Sequence, residues 1–208
     1  MRDFLERHGA EPDVGADVAR LRAEHAAEPP GPPSPPPLRD DTASLVAYVH
    51  WLMDRDRKST GLKSLQGRIW EAGYQAGELR GQVYADVAPA FARWKGQGRD
   101  IAIFSSGSVQ AQRCLFAHSS AGDLTPFIRA YFDTTTGPKT AAQSYERIAA
   151  ALQRAPRAVL FLSDVRAELD AARAAGLETA LCVRSRDTDS SPGGHPVLHT
   201  FDEALPMG

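Results

Sequence analysis

The run Ala158-Val159-Leu160-Phe161-Leu162-Ser163-Asp164 decides the fold. Five apolar residues follow one another without a break and end in a Ser and an Asp. A helical pattern starts at once, Val165 to Ala175, and Gly176 closes it. An unbroken apolar run bounded by polar residues suits a strand buried on both faces. The helix behind it predicts a β-α unit of a parallel sheet. In open α/β sheets ligands sit beyond the carboxyl ends of the strands, which is where Asp164 falls.

Working outward, Val83 to Val183 repeats this alternation. Asp86 is placed to cap a helix carrying Val87, Phe91 and Trp94, ending at Gly96 or Gly98. Ile101–Phe104 is a short apolar strand, followed by Ser105-Ser106-Gly107-Ser108 and a helix. Tyr131–Asp133 is a strand, Thr140–Leu152 a helix, Ala158–Leu162 the opening strand and Thr179–Val183 another. Strands alternating with helices of about a dozen residues indicate an α/β fold with helices on both faces of a parallel sheet. Arg184 to Gly194 is polar loop, and Phe201–Leu205 a last helical turn.

The first 82 residues read differently, as helix and loop. Residues 1–28 are polar, Ala-rich helices. Pro29–Pro37 is nearly all proline, so it is an extended loop, because proline lacks the N–H and clashes within helices. It reads as a spacer or insertion, with a ligand for an SH3-like partner as the alternative. Asp40 or Asp41 caps a helix with the stripe Leu45, Val49, Leu52, Met53. Leu62, Leu65 and Ile69 recur at helical spacing, and Gly73 to Leu79 reads as a helix end and turn. The domain expectation is therefore a helical unit, 1–82, and an α/β core, 83–208.

Composition narrows the classes. The chain has 208 residues, 42% hydrophobic and 24% charged, enough for one sizeable core and an accessory lobe. The net charge is −2 with no long basic run, which argues against nucleic acid. Met1 to Glu6 has no apolar signal core, and no apolar run reaches the roughly 20 residues of a membrane helix. Cys114 and Cys182 form no CxxC pair and read as packing thiols of a reduced, cytoplasmic protein.

Three polar groups sit at strand–helix junctions. In Ser105-Ser106-Gly107-Ser108, amides at a helix start and nearby hydroxyls suit an anion, or else Ser106 or Ser108 caps the helix. Lys139, in Gly137-Pro138-Lys139-Thr140, precedes a helix and can clamp a phosphate as a point charge, or be a solvated surface lysine. Pro138 and Phe132 spoil any P-loop reading of that string. Asp164, with Glu168 and Asp170 in the next turns, suits Mg²⁺; the alternative is a helix cap with two solvated carboxylates.

The order strand-Ser, Lys at a helix start, strand-Asp resembles the haloacid-dehalogenase superfamily of phosphohydrolases. The resemblance narrows further, to the acireductone-forming enolase-phosphatases of methionine salvage. It is carried by Leu65-Gln66-Gly67-Arg68-Ile69-Trp70, Gly77-Glu78-Leu79, Val83-Tyr84-Ala85-Asp86-Val87, Ser105-Ser106-Gly107-Ser108-Val109-Gln110-Ala111-Gln112, Tyr131-Phe132-Asp133-Thr134, Gly137-Pro138-Lys139 and Phe161-Leu162-Ser163-Asp164 through Glu168-Leu169-Asp170-Ala171-Ala172. It runs from about residue 41 to 184.

The resemblance implies a substrate, 2,3-diketo-5-methylthiopentyl-1-phosphate, a small phosphorylated diketone that is enolised and then dephosphorylated to the acireductone. It implies Mg²⁺, a monomer, a helical cap closing over the site, Ser105, Ser106 and Gly107 at the substrate phosphate, Lys139 as the phosphate lysine and Asp164 as a magnesium ligand. The family pattern opens with a strand ending in Asp-x-Glu-Gly-Thr, whose first carboxylate attacks phosphorus. No such string occurs in the 208 residues. Asp54-Arg55-Asp56 and Asp187-Thr188-Asp189 have the spacing of the carboxylates but lack Gly-Thr. The resemblance places the missing strand at the centre, between Ile101–Phe104 and Ala158–Leu162. The expectation is a chain inactive as it stands, with the motif encoded upstream of Met1. A non-catalytic phosphate-binding relative and a general sugar-phosphate phosphatase are the alternatives. The enolising base stays unassigned.

Overall fold

In the computed structural model the residues described are 1–29, 31–184 and 193–205; Asp187-Thr188-Asp189 and most of the polar tail lie outside them. They divide into two compact units, Met1–Leu79 and Arg80–Gly208.

The first unit is helical: α1 (Arg2–His8), α2 (Pro12–Ala26), α3 (Thr42–Met53) and α4 (Thr60–Gln75). Its core is Phe4, Leu5, Val14, Leu21, Leu45, Tyr48, Val49, Trp51, Leu52, Leu62 and Leu65. Asp41 caps α3 by accepting from Ser44 N at 2.7 Å. The start of α4 is capped twice. Ser59 Oγ accepts from Leu62 N, and the Glu24 carboxylate takes the Thr60 and Gly61 amides at 3.0 Å each. A carboxylate there meets the positive end of the helix dipole. α4 ends at Gln75 and turns at Ala76 and Gly77, within the Gly73–Leu79 stretch read as a helix end and turn. The proline-rich loop is tied down by His25, whose Nε2 is 2.8 Å from Pro36 O.

The second unit holds α5 (Val87–Gly96), β1 (Ile101–Phe104), α6 (Val109–Ala117), β2 (Ile128–Phe132), α7 (Ala142–Leu152), β3 (Leu160–Ser163), α8 (Arg166–Ala174), β4 (Glu178–Cys182) and β5 (Val197–Leu198). Every ladder is parallel: β1 with β2, β3 with β4, β4 with β5. Among the described residues they form two sheets, β1-β2 and β3-β4-β5, with no ladder between β1 and β3.

Side chains join the sheets across that division. On one face Val87, Phe91 and Trp94 of α5 pack with Ile101 and Ile128, and Ile103, Leu162 and Leu198 join the same cluster. On the other, Tyr145 of α7 and Ala171 and Ala172 of α8 pack with Phe104 and Phe161. Ile103 and Phe104 thus point to opposite layers, as the two-residue period of a strand requires.

The division corrects the reading of the opening run. Residues Pro156–Ala158 form a 3-10 turn, and β3 starts at Leu160. All four β3 residues are half-buried rather than buried on both faces. The cause is pairing on one side only, against β4, whose residues Thr179–Cys182 are buried. Phe201–Leu205 forms turns and bends rather than a helical turn, and β5, two residues long, gave no periodic signal. Both cysteines are free, and burial pushes the Cys182 thiol up. No described helix is long and apolar enough to cross a membrane.

Candidate active site

The polar groups at the carboxyl ends of β1 and β3 are brought together by Lys139. Its Nζ lies 2.8 Å from Glu168 Oε2 and 5.9 Å from the centroid of Phe104, the last residue of β1. The same Glu168 oxygen accepts the hydroxyl of Ser163, the last residue of β3, at 2.8 Å. Lys139 therefore spans the gap between the sheets at their carboxyl edge. The backbone holds it there: Tyr145 Oη donates to Lys139 O at 2.6 Å, and Ser144 Oγ donates to Pro138 O at 2.7 Å. Gly137, at φ +143°, packs against Ser144 Oγ so closely that no side chain fits.

The serine loop leaves β1 at the same edge. Ser105 N donates to Phe132 O at 3.1 Å, extending the β1–β2 register one step into the loop. Gly107 N donates to Ser105 Oγ at 3.1 Å, so this amide turns into the loop. Ser108 caps α6 through Ala111 N, and Ser106, the other capping candidate, stands exposed at the crest. Two residues beneath the loop escaped sequence reading. Gln112 Nε2 donates to Gly107 O and Phe132 O, and Asp133 accepts from Thr135 N, Thr135 Oγ1 and Val109 N. Buried polar residues inside an apolar helix stripe are the only signal that would have found Gln112.

Asp164 is exposed and does not cap α8, whose N-cap is Val165 with no side-chain bond. Its expected acidic company is engaged elsewhere. Glu168 is 8% exposed and holds Lys139, while Asp170 pairs with Arg166, Arg173 and His195. The His195 hydrogen bond holds the Asp170 carboxyl below its usual range, with Arg173 and Arg166 adding to it against burial. Among the described residues no group of three His, Cys, Asp or Glu is placed to hold a metal. A lone exposed carboxylate does not by itself fit a resident Mg²⁺, which takes six oxygens in near-octahedral order. Asp86 was expected to cap α5, but its carboxylate instead binds Arg184 Nη1 at 2.7 Å and the Phe201 amide.

Parallel strands thus bring a serine loop, a bridging lysine and an exposed Asp to one carboxyl edge. A profile of haloacid dehalogenase-like hydrolases matches residues 16–176. Solved structures agree on the fold. A putative beta-phosphoglucomutase from Thermotoga maritima superposes with a TM-score of 0.55 at 18% identity, covering 93% of this chain and 89% of that one. The UTR4 protein of Saccharomyces cerevisiae superposes at 0.70 with 31% identity, covering 96% of this chain and 92% of that one.

The sequence comparison is narrower. Enolase-phosphatase E1 of Synechococcus elongatus is 54% identical over 203 residues, 98% of this chain and 85% of the relative. Enolase-phosphatase E1 of Sorangium cellulosum is 46% identical over 206 residues, 98% of this chain and 84% of the relative. The chain belongs to the enolase-phosphatase family of haloacid dehalogenase-like hydrolases.

Proposed function

We propose that the carboxyl edge of β1 and β3 is the phosphate cradle of a phosphatase acting on 2,3-diketo-5-methylthiopentyl-1-phosphate, with the acireductone and phosphate as products. The observation that carries this is the position of Lys139, a half-buried ammonium between Phe104 at the end of β1 and Glu168, which binds Ser163 at the end of β3. Its charge meets the phosphate, the Ser105 and Ser106 hydroxyls supply directional donors, and Gly107 lets the backbone come close. The helical unit, residues 1–82 in the sequence reading, supplies selectivity for the methylthio end, and the protein works as a cytoplasmic monomer.

Binding and bond cleavage are separate demands. A phosphate monoester has one of the largest uncatalysed barriers known, and covalent catalysis needs a nucleophile. With no Asp-x-Glu-Gly-Thr string in the 208 residues, we propose that these residues by themselves hold the phosphate, and that the turnover assigned above needs a nucleophile they do not supply. The divided sheet favours the same reading, since among the described residues no strand carries a carboxylate to the point between β1 and β3. A Mg²⁺ requirement needs oxygens besides those of Asp164. Calorimetry with inorganic phosphate, with and without Mg²⁺, tests the cradle, and phosphate release from the diketo phosphate tests turnover. Binding abolished by Lys139→Ala, with no release, is the expected pair of results. Release at an enzymatic rate would overturn the binding-only reading. Failure to bind phosphate at millimolar concentration would overturn the cradle.

A further inference from the structure

Gln112 is 5% exposed, at the end of the first turn of α6, where the helix faces the sheet. A buried amide in an apolar setting calls for partners, and here both of them are carbonyls. Its Nε2 donates to Gly107 O at 2.8 Å and to Phe132 O at 2.9 Å. Because both facing groups only accept, the amino group must point at them, which fixes the orientation of the amide. Its Oε1 is left buried with no partner. An isosteric apolar residue would avoid that orphaned acceptor, so the glutamine is a poor choice for packing alone.

The two carbonyls it reaches explain the choice. Phe132 O is also the acceptor for Ser105 N, at 3.1 Å. Gly107 O belongs to the far side of the loop, whose own N–H is tied back to Ser105 Oγ. Gln112 therefore closes a ring, from the end of β2 through Ser105 and Gly107 and back to β2. Ser106 is the one residue of the ring left outside it, exposed at the crest. Nothing else links Gly107 O to the sheet among the described hydrogen bonds.

We infer that Gln112 is a positioning residue for the Ser105–Gly107 loop: it holds Ser106 where a phosphate oxygen is received, without touching the ligand. This rests on the phosphate cradle proposed above. A glutamate cannot replace it, since a carboxylate would face two carbonyl oxygens. An asparagine is one methylene too short to reach both.

The test is a double-mutant cycle in the full chain, with inorganic phosphate as the titrant and hydrogen exchange at the Ser106 and Gly107 amides as a second readout. Gln112→Leu and Gln112→Met keep the volume, and thermal melting identifies whichever variant is folded. The expected result is phosphate affinity about ten-fold weaker for Gln112→Leu and for Ser106→Ala, with the double variant no weaker than either single one. Loop amide exchange should rise in Gln112→Leu while that of the β2 amides stays unchanged. If Ser106→Ala weakens phosphate but Gln112→Leu does not, or the two losses simply add, the positioning role is overturned. If the unsubstituted protein does not bind phosphate, the cradle fails, and loop exchange alone then decides on Gln112. Unchanged exchange in Gln112→Leu overturns the inference there as well.

Discussion

The ammonium of Lys139 lies 2.8 Å from Glu168 Oε2, and that same oxygen accepts the Ser163 hydroxyl. The lysine proposed to meet the phosphate is thus already paired with a carboxylate, and on that proposal an incoming anion competes with Glu168. Glu168→Gln removes the competing charge and keeps an oxygen for Ser163. Half-buried charges about 5 Å apart interact by a few kcal/mol before screening, so the net gain for phosphate is about two- to five-fold in affinity. Calorimetry with inorganic phosphate checks it. A weaker affinity in Glu168→Gln would mean that Glu168 serves to aim Lys139 rather than to hold it back.

Asp86 and Arg184 tie the beginning of the second unit to its end. The Asp86 carboxylate is 2.7 Å from Arg184 Nη1 and accepts the Phe201 amide, while the guanidinium sits between the Tyr84 and Phe201 rings at 4.7 and 4.6 Å. Burial pushes the Asp86 carboxyl up, but the Phe201 N–H and Arg184 together outweigh it and hold it below its usual range. A carboxyl lowered on folding adds stability that is present above its unfolded value, about 3.9, and lost as pH falls through the lower folded value. Urea melts between about pH 2.5 and 6 should therefore show stability falling less steeply below about pH 4 in Asp86→Asn than in the unsubstituted chain. Identical acid limbs would remove Asp86 from the linkage.

In the helical unit Asp17 is 1% exposed, 2.8 Å from Arg68 Nε and 3.2 Å from Arg20 Nη1. Arg68→Met strands a buried carboxylate. The expected loss is about 2–3 kcal/mol, under the full figure for a broken buried pair, because Arg20 stays in reach. The double change Asp17→Leu with Arg68→Met should recover most of it, since replacing both partners removes the desolvation cost. Urea denaturation followed by tryptophan fluorescence measures both. A double variant as unstable as the single one would show that the pair itself, not the stranded charge, holds α2 to α4.

How much of this was readable in the sequence follows from range. Strand-end serines, a lysine before a helix and an Asp after an apolar run are local patterns, and the three lie at one edge because parallel strands put all carboxyl ends together. What Glu168 does was not local. Four residues after Asp164 it read as a metal-site neighbour, yet helix geometry turns it toward Lys139, which arrives from another β-α unit. The burial of β3 failed for a related reason: an apolar run records what the strand can bury, not whether a partner lies on each side. Gln112 and Asp133 lie in the strings that carry the resemblance, yet their tasks are hidden there: Gln112 reaches two backbone carbonyls, and Asp133 takes backbone amides and the Thr135 hydroxyl, which no residue pattern reveals.

Tyr145 joins the site to the packing beneath it. The ring is fully buried, 5.7 Å from Phe104 and 4.9 Å from Phe161 between centroids, both contacts edge-on. It therefore bridges β1 and β3, strands that share no ladder. Burial, reinforced by the nearby Glu168 carboxylate, holds the phenol well above its usual range, so it stays a hydrogen-bond donor at any working pH. Its hydroxyl donates to Lys139 O. The two roles separate by substitution. Tyr145→Phe keeps the aromatic bridge and loses one donor, which costs about 1 kcal/mol of stability. Freed at its carbonyl, Lys139 should bind phosphate about three-fold more weakly, a loss of under 1 kcal/mol in line with one neutral hydrogen bond. Tyr145→Ala removes the bridge as well and should cost about 3–5 kcal/mol, the range for a large aromatic cut from a core. Thermal melts and phosphate titrations on both variants read the two effects independently. A Tyr145→Phe variant with full phosphate affinity would confine Tyr145 to packing and leave the Pro138–Ser144 hydrogen bond as the support of Lys139.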